Sequence, residues 1–299
     1  MKKILLTVTP FVDYPGSIPN EFVSRHLARQ LIEEGFDVHI LANKSQSKNW
    51  PKEAKVINGS ITKPDDTPLA FENIDAVFLA GAIPETVYEA VNMAKEAGVK
   101  KIVTLSSHGP EIEIQFPPDS WYWLAIDVVV ERSEIKHTRI VPSNIMASTL
   151  VGDHYSAGKS WAEHIREDSL IQEPYVHTKV PLIHEEDLAF VISKELQQVN
   201  LSNKTLHVYG HSISPLERKK ILSEVLNKEI KFKELTSDEA FEYFRQEGLD
   251  EYEISHRLGV LESISNNPVE FNSEITNIIN RPLKTYSQWV KEHTSFLNG

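Results

Sequence analysis

The opening segment constrains this chain more than any other. Lys3-Ile-Leu-Leu-Thr-Val-Thr9 is an apolar, β-branched run of strand length, Phe22 to Gly35 repeats apolar residues at helical spacing, and Phe36-Asp-Val-His-Ile-Leu-Ala42 is a second strand. Strand, helix and strand in that order predict a βαβ unit, in which two parallel strands are joined by a right-handed crossover. In such units a glycine-rich turn after the first strand lets the helix N-terminus meet a phosphate. Here the turn is long and contains one glycine, Gly16. The layout of a nucleotide-binding unit is kept while its chemistry is altered.

The alternation continues for half the chain. Ala54-Lys-Val-Ile57, Asp75-Ala-Val-Phe-Leu-Ala80, Lys101-Ile-Val-Thr-Leu105 and Thr138-Arg-Ile-Val141 predict four further strands. Pro84 to Ala97, stopped by Gly98, and Trp121 to Arg132 predict helices between the later ones. Strands spaced by helices of this length imply an α/β fold, a Rossmann-type doubly wound parallel sheet with helices on both faces. Beyond Met146 the pattern breaks down. Residues 149–174 show no clear period, Val180-Pro-Leu-Ile183 and Glu185 to Gln198 read as strand then helix, Thr205 to Tyr209 as another strand, and the rest as mostly helical. The expected organisation is a nucleotide-binding domain over 1–150, with 180–209 returning to it, and a smaller, mostly helical lobe from 151–179 and 210–299.

Composition excludes several classes. A net charge of −12 argues against a nucleic-acid surface, which needs clustered lysine and arginine. The chain has no cysteine, hence no disulfide, thiolate nucleophile or cysteine-based metal site. No apolar run approaches the ~20 residues of a membrane span. Met1-Lys-Lys leads straight into the first strand, so no secretory leader is expected and the cytoplasm is the default. The pairs His108 with Glu111 and His184 with Glu185 are isolated, so no metal is expected. Neither a Walker phosphate loop nor a Gly-x-Ser-x-Gly elbow is present.

The order of the motifs carries a family resemblance. Gly59-Ser-Ile-Thr62 through Asp75-Ala-Val77, Ala97-Gly-Val-Lys-Lys-Ile-Val-Thr-Leu-Ser-Ser107, Thr138-Arg-Ile-Val-Pro-Ser-Asn-Ile-Met146, His184-Glu-Glu-Asp-Leu-Ala189 and Arg281-Pro to Trp289 follow one another nearly end to end. In this order and spacing the chain resembles the NmrA-like branch of the atypical short-chain dehydrogenase/reductases. The resemblance implies NADP or NAD as cofactor, a small and largely apolar substrate, and reduction by hydride transfer. It places the cofactor at Phe22 and Val23 at the start of the first helix, Asn43 and Lys44 after the second strand, Ala80 and Gly81 after the fourth, Ser106 after the fifth, and Asn144 after the sixth.

The departures are specific. Counted back from Gly35, the three fingerprint glycines fall on Ile18, Glu21 and Ser24, and a carboxylate at Glu21 repels a pyrophosphate. The turn is about ten residues longer than that of the family. Asn43 stands where the family often has arginine, with Lys44 beside it, and Ser60 where an aspartate usually meets the adenine. The Tyr-x-x-x-Lys pair, in which lysine lowers the pKa of a proton-donating tyrosine, falls on Asp119 and Trp123.

The remaining candidates for chemistry are Ser107 and His108 at the end of the fifth strand, Tyr122 in the aromatic triplet Trp121-Tyr-Trp123, and His154 and Tyr155 in the irregular segment. Ser107 is placed to orient a carbonyl by hydrogen bond, and the histidines to act as bases near neutral pH. For each, a structural role competes: the serines as loop caps, the aromatics as core, the histidines as surface. Three functions follow. One is an NAD(P)(H)-dependent reductase, the second a cofactor-independent lyase, isomerase or hydrolase using the altered cleft, and the third a non-catalytic nucleotide-sensing regulator. Oligomeric state is not legible.

Overall fold

The structure, a computed structural model, describes residues 2–8, 19–44, 48–107, 119–151, 159–198, 203–266 and 275–298. The strands are β1 (Lys3–Thr7), β2 (Asp37–Ala42), β3 (Lys55–Asn58), β4 (Ala76–Leu79), β5 (Lys101–Leu105), β6 (Lys136–Pro142), β7 (Asn144–Ile145), β8 (Ile171–Pro174), β9 (Val180–Ile183), β10 (Lys204–Val208), β11 (His211–Ile213) and β12 (Phe232–Leu235). The helices used below are α1 (Pro19–Glu33), α2 (Val87–Glu96), α3 (Asp119–Arg132), α4 (Ser148–Val151), α5 (Trp161–Arg166), α6 (Glu185–Gln197), α7 (Pro215–Leu226), α8 (Ser237–Gln246) and α9 (Glu251–Asn266). The chain divides into two compact units. The first comprises Met1–Pro142, Glu185–Val208 and Glu274–Asn280, and the second Ser143–His184, Tyr209–Ser273 and Arg281–Gly299.

The first unit is a seven-stranded sheet in the order β10-β6-β5-β4-β1-β2-β3, with every pairing parallel. The Rossmann-type doubly wound α/β fold read from the sequence is therefore the fold. Ile4, Leu5 and Leu6 of β1 are all buried, as expected for a central parallel strand covered on both faces. On one face Val87, Ala90 and Val91 of α2 and Ile126 and Val130 of α3 pack into one cluster with Leu5, Val77 and Ile102. Along α1 runs α6, and Glu34 at the end of α1 accepts hydrogen bonds from Ser193 (3.0 Å) and Lys194 (2.9 Å). Strand order reverses between β1 and β4, and at such a switch point the carboxyl ends of the strands leave a crevice for ligands.

The second unit holds a small sheet in the order β11-β9-β7 and the parallel pair β12–β8. The sequence reading keeps 180–209 together, whereas β9 within that range pairs with β7 and β11 of the second unit. Helices α5, α7 and α8 each open with a capping box, from Ser160 to Glu163, Ser214 to Glu217 and Thr236 to Glu239. Gly210 is fixed by close approach, since a Cβ there would lie 1.8 Å from the carbonyl oxygen of Leu182.

Candidate functional site

The site is the carboxyl edge of the first unit's sheet, around the β1/β4 switch. Thr7 ends β1, and its buried hydroxyl donates to the carbonyl of Ala80 (2.7 Å) and accepts from the Ala80 amide (2.9 Å). This reciprocal pair fixes the exit of β4 against β1. The next residue, Gly81, is buried and has φ +74°, a left-handed conformation that glycine adopts without strain. Tyr122 in the first turns of α3 donates to the carbonyl of Ala82 at 3.0 Å, and its ring meets Trp123 edge-on at 5.5 Å. The structure thus brings Tyr122 to the residues that follow β4. Trp121 is exposed, and Trp123 is half-buried against the main core cluster.

After β5, the two serines part ways. Ser106 is buried, and its hydroxyl donates to Asp127 of α3 at 2.8 Å, while Arg139 of β6 reaches both Ser106 Oγ (3.3 Å) and Asp127 (2.8 Å). Its side chain serves the joint between β5, β6 and α3. Ser107 is half-buried, and its carbonyl accepts from Arg139 at 3.4 Å.

The start of α1 carries the main departure from a glycine fingerprint. Glu21, in the first turn, is 3% exposed. The helix favours a carboxylate there through its dipole. Arg25, one turn on, forms an ion pair with it, donating from Nη2 and from Nε (3.1 Å). The guanidinium lies 4.8 Å over the ring of Trp50, and its Nη1 is buried with no hydrogen-bond partner among the described residues. The repulsion expected from Glu21 is therefore offset locally by Arg25. The Glu-x-x-x-Arg spacing was the available signal for this pair, whereas Trp50, from the β2–β3 connection, had none. Val23 is fully buried and Phe22 is half-buried. Asn43 is half-buried after β2, with Lys44 exposed beside it. Ser60 spends its hydroxyl within its own turn, on Thr62 Oγ1 (2.6 Å) and the Thr62 amide (3.2 Å).

Asn144 belongs to the second unit, where it opens β7 and is exposed. His108, His154 and Tyr155 lie outside the described residues, as do Gly16 and Ile18. Among the described residues no group of three or more His, Asp or Glu is arranged to hold a metal ion, and no helix is long and apolar enough to cross a membrane.

Comparison with known proteins agrees with this geometry. Residues 22–149 match a family described as NAD(P)H-binding. No curated protein matches the sequence significantly. Among solved structures, a nucleoside-diphosphate-sugar epimerase from Staphylococcus aureus superposes with a TM-score of 0.70 at 16% identity, covering 97% of this chain and 100% of that one. The triphenylmethane reductase of a Citrobacter species, complexed with NADP(H), gives 0.70 at 17%, covering 97% and 99%. An NADPH-dependent quinone oxidoreductase from Escherichia coli gives 0.70 at 14%, covering 97% and 98%. At these identities the likeness establishes the fold. The matching family and that fold support the resemblance to NmrA-like, atypical short-chain dehydrogenase/reductases.

Proposed function

From the match of residues 22–149 to the NAD(P)H-binding family, we propose that the protein binds NAD(P)(H) at the β1/β4 switch and reduces a small, largely apolar carbonyl compound or enone. The observation that carries this reading is Arg25. A buried guanidinium nitrogen without a partner among the described residues is costly unless an acceptor arrives, and a phosphate oxygen is the acceptor that the start of this helix receives in the fold. Gly81 adds a second point, because its left-handed backbone turns the chain directly after β4, at the carboxyl edge of the sheet. Arg25 and the α1 N-terminus would hold the phosphates, and Asn43 and Lys44 the adenosine side.

When bound, the nicotinamide supplies the hydride. The residues of the chain then orient the acceptor. Ser107 donates a hydrogen bond to the substrate oxygen, and Tyr122 polarises it by turning its hydroxyl from the Ala82 carbonyl, a neutral hydrogen bond that costs about 1 kcal/mol to give up. Trp121 and Trp123 supply apolar wall. The test is a screen of quinones and enones with NADPH, read as loss of NADPH absorbance, in the parent protein and in Tyr122→Phe. Turnover on at least one acceptor, reduced in the variant, is expected. Absence of turnover on all of them, with NADPH demonstrably bound, would overturn the reductase reading.

One observation favours a second reading. Glu21 is buried at a fingerprint position and already neutralises Arg25. If that ion pair excludes phosphate, the same crevice serves cofactor-independent chemistry, and dinucleotides do not bind.

A further inference from the structure

Helix α3 is anchored to the sheet at two places that differ in kind. Near its start, Tyr122 donates to the carbonyl of Ala82 beyond β4, at 3.0 Å. Five residues on, about 7.5 Å along the helix axis, Asp127 Oδ2 accepts from Ser106 Oγ at 2.8 Å and from Arg139 Nε at 2.8 Å. The first contact is neutral. The second joins a carboxylate to a guanidinium, and charge-assisted hydrogen bonds are about twice as strong as neutral ones. Asp127 and Arg139 are 13% and 19% exposed and Ser106 is buried, so water screens this joint little. The receiving side is held by the sheet itself. Thr104 of β5 lies opposite Arg139 of β6 and Leu105 opposite Ile140, and the Ser106 amide continues the ladder by donating to the Ile140 carbonyl at 2.8 Å. Arg139 also donates to the carbonyl of Ser107 at 3.4 Å, so the joint reaches the residue that follows. Between the two anchors, Tyr122 and Trp123 pack against the core cluster that contains Ile126 and Val130.

We propose that Asp127 and Arg139 are positioning residues for the reduction, holding α3, and with it Tyr122, in fixed register with Ser107 while the Tyr122 hydroxyl leaves Ala82 for the substrate. This rests on the reductase reading above, in which that hydroxyl changes partner. The change releases one anchor of α3 at the moment the substrate needs the helix still. The Asp127 anchor is retained, because its partners Ser106 and Arg139 belong to the end of β5 and to β6 and take no part in the exchange. The stake is large, since a misplacement of roughly 1 Å at a reacting group can cost about a hundredfold in rate. Asp127 and Arg139 act through Tyr122 and Ser107 rather than on the substrate, and all four residues lie within the first unit.

The test is a double-mutant cycle on the full chain, with NADPH and whichever quinone or enone the parent reduces fastest. Asp127→Ala should lower kcat by roughly tenfold or more, while the KM for NADPH stays within about twofold and the melting curve stays cooperative. Asp127→Asn, which keeps an acceptor for Ser106 and Arg139, should return kcat to within about threefold of the parent. In a Tyr122→Phe background the same Asp127→Ala change should cost no more than about threefold, because the group it positions is gone. Should Asp127→Ala not fold, Asp127→Ser runs the same cycle. An undiminished loss in the Tyr122→Phe background, no recovery in Asp127→Asn, or parental kcat in folded Asp127→Ala would each overturn the proposal alone. No turnover by the parent on any acceptor would overturn the reductase reading, and the positioning role with it.

Discussion

Replacing Glu21 with glutamine separates the two readings of the crevice. The variant keeps the shape and an acceptor for Arg25 but removes the countercharge. A hydrogen bond to a charged partner contributes about 1.5–3 kcal/mol and a neutral one about 1 kcal/mol, so the unliganded protein should lose about 0.5–2 kcal/mol. The lower half of that range is the better guide, because the Arg25 side chain retains 17% exposure and water screens part of its charge. For a chain of this size the melting temperature should fall by roughly 1–5 °C. A phosphate at the α1 N-terminus would restore the missing negative charge, so the loss is regained on binding. By linkage, NADPH affinity should rise about 2- to 30-fold, the same 0.5–2 kcal/mol expressed as a binding constant. Calorimetric titration of both proteins reads the affinity, and melting curves with and without saturating NADPH read the stability. Unchanged or weaker NADPH binding in Glu21→Gln, with the same melting deficit in both conditions, would refute the argument that Arg25 exchanges a carboxylate for a phosphate.

Three further outcomes follow from single sites. Gly210→Ala should destabilise the protein by about 3 kcal/mol or more, because the new methyl would sit 1.8 Å from a backbone oxygen that cannot move independently of β9; denaturant melts measure it. Lys101 is fully buried in β5 with its Nζ lacking a hydrogen-bond partner among the described residues, and burial lowers its pKa from 10.5, with nearby Glu195 only partly opposing the shift. Between the lowered folded value and the unfolded 10.5 the unfolded chain binds more protons, so this residue's contribution to stability should improve as pH rises through that window. Lys101→Met should therefore be neutral to stabilising by about 1–3 kcal/mol at neutral pH, with the advantage shrinking toward pH 10.5, and a loss of stability at neutral pH would contradict this. Tyr122→Phe should lower turnover at least tenfold while costing no more than about 1 kcal/mol of stability, the worth of one neutral hydrogen bond; turnover equal to the parent's would remove Tyr122 from the chemistry.

The strands of the first unit were legible because a central parallel strand is buried on both faces and so is written as an unbroken apolar run. Ile4 to Leu6 and Ala76 to Leu79 are such runs. In the second unit β7 has two residues, too short for any period to register, and β8 carries Gln172 and Glu173 where an apolar run would be sought. At the site, the Ser106–Asp127–Arg139 joint shows the limit of motif reading. A serine after the fifth strand suggests a ligand contact, but two partners distant in sequence, brought close by the fold, claim its hydroxyl. The Glu21–Arg25 pair lay within reach of helical spacing, yet its meaning depends on burial, which spacing does not give.

Dinucleotide binding at the β1/β4 switch is tested most simply by calorimetric titration of the folded chain with NADPH, NADP, NADH and NAD. Saturable binding of at least one of them is expected, at a single site and at micromolar concentration. No detectable binding of any of the four to a protein that melts cooperatively would contradict it, and would leave the Glu21–Arg25 pair as a closed phosphate site in a crevice devoted to other chemistry.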